Sequence, residues 1–396
     1  MRLPLFTASL VAVLSSSLDA QDRPPAWPEF TQQMDSIARA GQVVGGAAVF
    51  VRDGRIVARH NYGLGDRGLN QPVTDRSIFH YGSITKTLTA IAILQLRDRG
   101  KLSLDDKVIR WVPELRRMHD PFGMMDSITV RMILAHTSGF QNPTWPYGNG
   151  KPWEPFEPTT WEQLVAMMPY QQLLFRPGSR WGYSNPAYIY LARIIESISG
   201  DPWVGYIQKQ LFTPLQLDRS YFGATPYHLA NDRSNNYTIV RDSASKSDMI
   251  RENGRDFDPG ITIPNGGWNA PLDDLAAYVA FLTNSAGGNA ERQRRFDAVL
   301  SRATLTEMWQ PIIRQGADPA SQMGLGFFVL DHQGTRLIGH TGSQAGFLSF
   351  LWINPQDRTG VVVVLNTDSN VRSTPAALTP IMQRALPLLR STTGTR

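Results

Sequence analysis

Residues 45–63, GGAAVFVRDGRIVARHNYG, read as two strands around the turn Asp53-Gly54, a strong hairpin signal. Residues 324–331, 335–340, 346–355 and 359–367 read as successive strands joined by tight turns. Between these ends the spacing turns helical. Ser83 to Arg99 carries Ile84, Leu88, Ile91, Leu94 and Leu96 mostly on one face, and Gly100 stops it. Helices are also expected over Phe30–Ala40, Pro186–Ser199, Pro202–Leu211 and Pro271–Leu282, with Asp273 and Asp274 favouring the last one's dipole. Residues 374–391 read as mostly helical, and 102–136 as short helices and turns. Residues 232–260 are polar and are expected to form a long surface excursion. Strands at both ends and helices between them predict an α/β (α+β) protein. Its antiparallel sheet would be flanked by helices, with an all-helical domain inserted. The body would comprise 21–88 plus 260–396, and the inserted region 89–259.

Composition narrows the function. At 42% hydrophobic and 18% charged, the 396 residues can bury a sizeable core. The net charge of +5 comes without a block of five Lys or Arg, so no nucleic-acid partner is expected. No cysteine is present, which removes disulfides, thiol catalysis, Cys-ligated zinc and a lipid anchor on an N-terminal cysteine. The seven histidines show no His-x-x-x-His or other metal spacing, so no metal is expected. Residues 1–20 read as a signal peptide: Arg2, an apolar stretch from Leu3 to Leu14, and a small residue at Ala20. That predicts export to a periplasm or the medium. No later run reaches about 18 apolar residues, so no stable membrane span is expected. Residues 141–161 hold five Pro and three Trp, which suits a pocket-lining lid and a loop packed on the body equally.

The candidate chemistry begins at Ser83-Ile84-Thr85-Lys86. Serine and lysine three apart at a helix start share a face. The hydroxyl needs a base, and a lysine serves only when desolvation removes its proton. Alone, this spacing reads more readily as an N-cap serine and a surface lysine. Tyr183-Ser184-Asn185 follows Arg176-Pro177-Gly178 before a helix, and His340-Thr341-Gly342-Ser343 ends a strand. Taken singly, these read as turn chemistry and aromatic packing. No Gly-x-Ser-x-Gly elbow offers another nucleophile. His136 reads as a structural histidine satisfied by backbone groups.

Taken together and in this order, the three motifs resemble the serine β-lactamase and penicillin-binding-protein superfamily. Leu134-Ala135-His136-Thr137-Ser138-Gly139, Arg176-Pro177-Gly178 and Asn354-Pro355 extend the likeness, which covers roughly residues 30–390. Within it the chain looks like the class C β-lactamase-like serine hydrolases, which include carboxylesterases, D-amino-acid peptidases and transpeptidase-like enzymes. The resemblance implies Ser83 as acylated nucleophile, Lys86 as its tuner and proton shuttle, and Tyr183 as general base and leaving-group proton donor. Lys86 would depress the Tyr183 phenol for that task. Asn185, His340, Thr341, Gly342 and Ser343 would bind substrate, with the N–H groups of Ser83 and Ser343 as the oxyanion hole. No cofactor is implied. The partner would be a small-molecule or peptide substrate: an ester, a D-amino-acid amide or a β-lactam. His340 stands where β-lactamases usually carry lysine, which disfavours a substrate carboxylate and favours esters and amides. A true β-lactamase, a non-catalytic penicillin-binding or sensor module, and a scaffold built on the Trp-rich loop stay open, as does the oligomeric state.

Overall fold

The computed structural model describes residues 22–144, 158–242, 244–371 and 376–390. The signal-peptide reading of 1–20 and most of the Trp/Pro-rich loop lie outside the described residues.

The strands are β1 Gly45–Arg52, β2 Arg55–Asp66, β3 Gln71–Pro72, β4 Ile78–His80, β5 Tyr221–Phe222, β6 Asn236–Arg241, β7 Asp248–Gly254 and β8 Trp268–Pro271. They continue with β9 Ile313–Arg314, β10 Ser321–Met323, β11 Phe328–His332, β12 Thr335–Gln344, β13 Phe347–Asn354, β14 Thr359–Leu365 and β15 Thr367–Ser369. Nine of them form one sheet in the order β3-β2-β1-β14-β13-β12-β11-β10-β9. The two ends of the chain meet in its middle, where β1 runs antiparallel to β14 with Gly46 opposite Leu365 and Arg52 opposite Thr359. Asp53 and Gly54 both adopt left-handed backbone, the geometry a two-residue hairpin turn demands.

Side chains alternate across a strand, so one run feeds two cores. Ala48, Phe50, Val361, Val363 and Leu365 face Trp27, Phe30 and Met34 of α1 (Trp27–Ala40) and Ile381 of the helix Leu378–Ala385. Ala47, Val49, Val51, Val362 and Val364 face the larger core, which includes the helix Leu272–Leu282. Both faces are covered, so these strands carry apolar residues continuously rather than alternately.

The larger core is built around α2 (Thr85–Asp98). It is buried all round from Thr85 to Leu96 rather than on one face. Its polar residues are satisfied singly: Thr87 accepts from the Tyr278 hydroxyl at 2.8 Å, and Thr89 donates to Pro264 O at 2.7 Å. Beside it pack α3 (Val130–Leu134) and α5 (Pro186–Ser199), with α4 (Trp161–Met167) at the margin. Proline at the first position of α5 and left-handed Gly200 after its end fix its limits.

The polar stretch 232–260 is only partly a surface excursion: its first strand is mostly buried and the rest is largely exposed. β6 and β7 pair antiparallel and β15 joins β6 in parallel, burying Tyr237 and Ile239. Its buried asparagines, Asn235 and Asn236, find partners. Asn236 donates to Gly254 O at 2.7 Å, and Asn253 to the Asn236 side chain at 2.8 Å. Among the described residues no helix is long and apolar enough to cross a membrane.

Candidate active site

Ser83 sits in the turn between β4 and α2. Thr85 locks that turn: its hydroxyl donates to Gly82 O at 2.6 Å and accepts the Trp268 N–H at 3.0 Å. Two glycines let β12 press against it. Gly82 has left-handed backbone, and a Cβ there would lie 2.8 Å from Ser343 N. A Cβ on Gly342 would collide with Tyr81 O. The Thr-Gly dipeptide is thus a steric requirement, and it places Ser343 beside the serine turn. Beyond Gly339, β12 has lost β11 as a partner, so its edge from His340 onward is open on that side.

Lys86, one turn into the helix, is completely buried. Its Nζ lies 3.0 Å from Ser83 Oγ, 2.8 Å from Asn185 Oδ1 and 2.8 Å from the Asn265 carbonyl. No carboxylate is among these partners. Burial therefore holds its pKa well below the usual lysine value. A neutral amine has two N–H groups for the two carbonyls and a lone pair for the serine proton. The Tyr183 phenol and the Ser83 hydroxyl line the same cleft, close enough for Ser83 to moderate the phenol's acidity. Burial raises the Tyr183 phenol, contrary to the expected depression by Lys86. The reason is that burial disfavours the charged phenolate by more than the neighbouring Ser83 offsets. Burial thus favours the neutral form of both groups.

These side chains open on a cleft of about 570 Å³. Ser83, Tyr183, Asn185, Thr341, Gly342 and Ser343 all line it. His340 does not, which corrects the expected contact with substrate. Its ring turns inward, stacks on Phe328 at 4.3 Å and donates from Nδ1 to Thr341 O. Burial, and then the neighbouring Lys86, push its pKa down to about 3. Motif reading missed Asn142, whose side chain accepts from Asn185 Nδ2 at 3.0 Å, and Asn265. Asn142 belongs to a loop and Asn265 to the four-residue helix Ile263–Gly266, both too short or irregular for periodicity to mark them. Thr262, Gln344 and Leu378 complete the wall with Pro143 and Thr144, so the start of the 141–161 loop is a cleft wall. No Lys, Arg, Asp or Glu lines the cleft among the described residues.

A serine in the turn before a helix, a lysine in that helix, a tyrosine from a second element and a bordering strand edge make up the fold and site of a serine-hydrolase-type protein. The chain belongs to the Beta-lactamase family, whose model matches residues 29–385. Among curated proteins it is similar to Protein flp of Staphylococcus aureus strain MW2. The two are 24% identical over 350 residues, 85% of this chain but only 63% of that protein's length. Among solved structures, the octameric penicillin-binding protein homologue from Pyrococcus abyssi has a TM-score of 0.74 and 26% identity, covering 91% of this chain and 77% of that one. A D-stereospecific amidohydrolase from Streptomyces sp. has a TM-score of 0.71 and 25% identity, covering 93% and 99%. A class C beta-lactamase, 21% identical with a TM-score of 0.69, covers 92% and 97% and shares the fold.

Proposed function

We propose that the protein is an exported, class C β-lactamase-like serine hydrolase. It would act through a Ser83 acyl-enzyme on uncharged esters or amides. The observation that carries this reading is the buried Lys86 amine, held by two carbonyls and aimed at Ser83 Oγ.

Ser83 Oγ attacks the substrate carbonyl and passes its proton to the neutral Lys86 amine. The tetrahedral oxyanion forms beside the N–H groups of Ser83 and Ser343; donors so placed are often worth about 3–4 kcal/mol each. As the bond to the leaving group breaks, the Tyr183 hydroxyl protonates the departing atom and is reprotonated from Lys86. Water then attacks the acyl-enzyme, with the same groups accepting its proton and returning one to Ser83. Tyr183 thereby relays protons as a neutral phenol. Asn185 holds Lys86 and presents its amide to substrate, and Thr341 to Ser343 offer backbone to pair with an extended one.

Substrate class follows from the neutral cleft. A β-lactam carboxylate would meet no cation among the described lining residues, whereas a neutral ester or amide forfeits nothing. Similarity to an amidohydrolase supports amides within that class. Export rests on the pattern of residues 1–20 and is checked by the N-terminal mass of the secreted chain.

The deciding experiment is intact-mass detection of acyl-Ser83 with a p-nitrophenyl ester, a D-Ala-D-Ala peptide and a cephalosporin. Rapid ester acylation, fluorophosphonate labelling lost in Ser83→Ala, and slow or absent cephalosporin turnover are expected. Fast cephalosporin hydrolysis without esterase activity would reverse the substrate ranking.

A further inference from the structure

We propose that His136 is the positioning residue for Tyr183, gripping the chain on both sides of it and the ring across its face. Three contacts converge. The backbone carbonyl of His136 accepts the Gly182 N–H at 2.8 Å. Its ring Nδ1 accepts the Ser184 N–H at 3.1 Å. The imidazole itself stacks on the Tyr183 ring, with centroids 4.4 Å apart and planes 29° apart. Residues 182, 183 and 184 are therefore each held by a different part of one residue.

His136 is itself fixed. It is fully buried and has left-handed backbone, a conformation that persists only when the surroundings determine it. Tyr188 packs against the imidazole at 5.2 Å and donates to Leu134 O at 3.0 Å. Accepting from Ser184 leaves the neutral ring's proton on Nε2, which has no partner among the described atoms. Burial disfavours the charged ring, so Nδ1 retains the lone pair that accepts from Ser184. Only a histidine supplies a flat face and a nitrogen acceptor together. Phenylalanine would keep the stack and lose the acceptor, and asparagine would do the reverse.

The chemical consequence lies in proton delivery. A phenol that must place a proton on a leaving atom tolerates little displacement. The inference rests on Tyr183 as leaving-group donor, as proposed above. Losing the clamp should therefore harm substrates whose leaving group needs a proton more than those whose leaving group departs unaided.

The test compares kcat/KM of the full chain for ethyl butyrate, which expels an alkoxide, and p-nitrophenyl butyrate, which expels a stable phenolate. Tyr183→Phe serves as control, and fluorophosphonate titration counts active sites. Both Tyr183→Phe and His136→Phe should lose at least about tenfold more activity on the ethyl ester than on the p-nitrophenyl ester. His136→Asn should hold the wild-type ratio within about threefold, because its Oδ1 can accept from Ser184. Equal losses on both esters in His136→Phe would show a merely structural role and overturn the inference alone. So would an asparagine variant as selective as the phenylalanine one. No selectivity in Tyr183→Phe would remove the donor role itself, and the clamp with it. Should His136→Phe not fold, the ¹⁵N spectrum of the wild type still decides. A proton on Nε2 is expected, and one on Nδ1 would refute the clamp.

Discussion

The two sides of the central sheet are built on opposite terms. Against α1 and the helix Leu378–Ala385, the core is a run of Trp, Phe, Val, Leu and Ile that any amphipathic pair of helices would supply. Around α2, on the other side, threonines, Gln95, Lys86, His80, His136 and Asn269 are buried beside the aromatic residues. Among the described atoms, Tyr81 Oη, Asn265 Oδ1 and the Nε2 of His136 and His340 make no hydrogen bond. Buried polar groups left unmatched cost about 1–3 kcal/mol each, so the α2 side, although it is the larger apolar core, gives up part of its burial energy to hold reactive groups dry. The dry environment is what favours a neutral lysine, and a neutral lysine is what the chemistry needs.

That contrast can be broken most severely at the nucleophile. Ser83→Ala should lose essentially all acylation, at least about 10⁴-fold in burst rate, with an unchanged urea midpoint. A burst that survives would place the nucleophile elsewhere. Lys86→Met should come next, losing about 10²–10⁴-fold in kcat/KM. On the opposite side of the sheet, Phe50→Ala should cost about 3–5 kcal/mol in urea unfolding while leaving kcat per active site within about twofold. A large kcat effect there would mean that the two regions are not separable.

Proton linkage sharpens the comparison further. Because burial depresses the Lys86 pKa, the amine gives up its proton at a lower pH than an ordinary lysine does. It becomes protonated, and acylation falls, only as pH drops through that depressed value. The kcat/KM profile should therefore be flat through neutrality with an acid limb. A rate that climbs only near about pH 10, as for an ordinary lysine, would contradict the buried amine. The smallest effect is expected at His340, whose pKa is pushed down to about 3. It stays neutral across the working range, so His340→Asn should leave the shape of the profile unchanged between about pH 5 and 8.

How much of this was readable beforehand depended on the kind of signal. Asp53-Gly54 announced a hairpin through backbone preference, and Pro186 with Gly200 bracketed a helix; both are local physics. The ordered motifs singled out Ser83, Lys86, Tyr183 and Asn185, which the structure gathers around one cleft. Residues 236–254 misled because polar strands look like loops until their asparagines find partners across the sheet. Asn142 and Asn265 carried no signal, since neither a loop nor a four-residue helix is long enough to show a period.

The sequence alone determined the alternation that gives the middle strands two apolar faces, the turns that join them, and the spacing that puts serine and lysine on one helical face. These depend on neighbours within a few residues. Tertiary structure alone decided that α2 is buried all round, that burial favours the neutral Lys86 amine and Tyr183 phenol, that the His340 ring turns away from the cleft, and that His136 lies flat on Tyr183. Each of those depends on what surrounds a group in space, and desolvation is set by residues a hundred or more positions away.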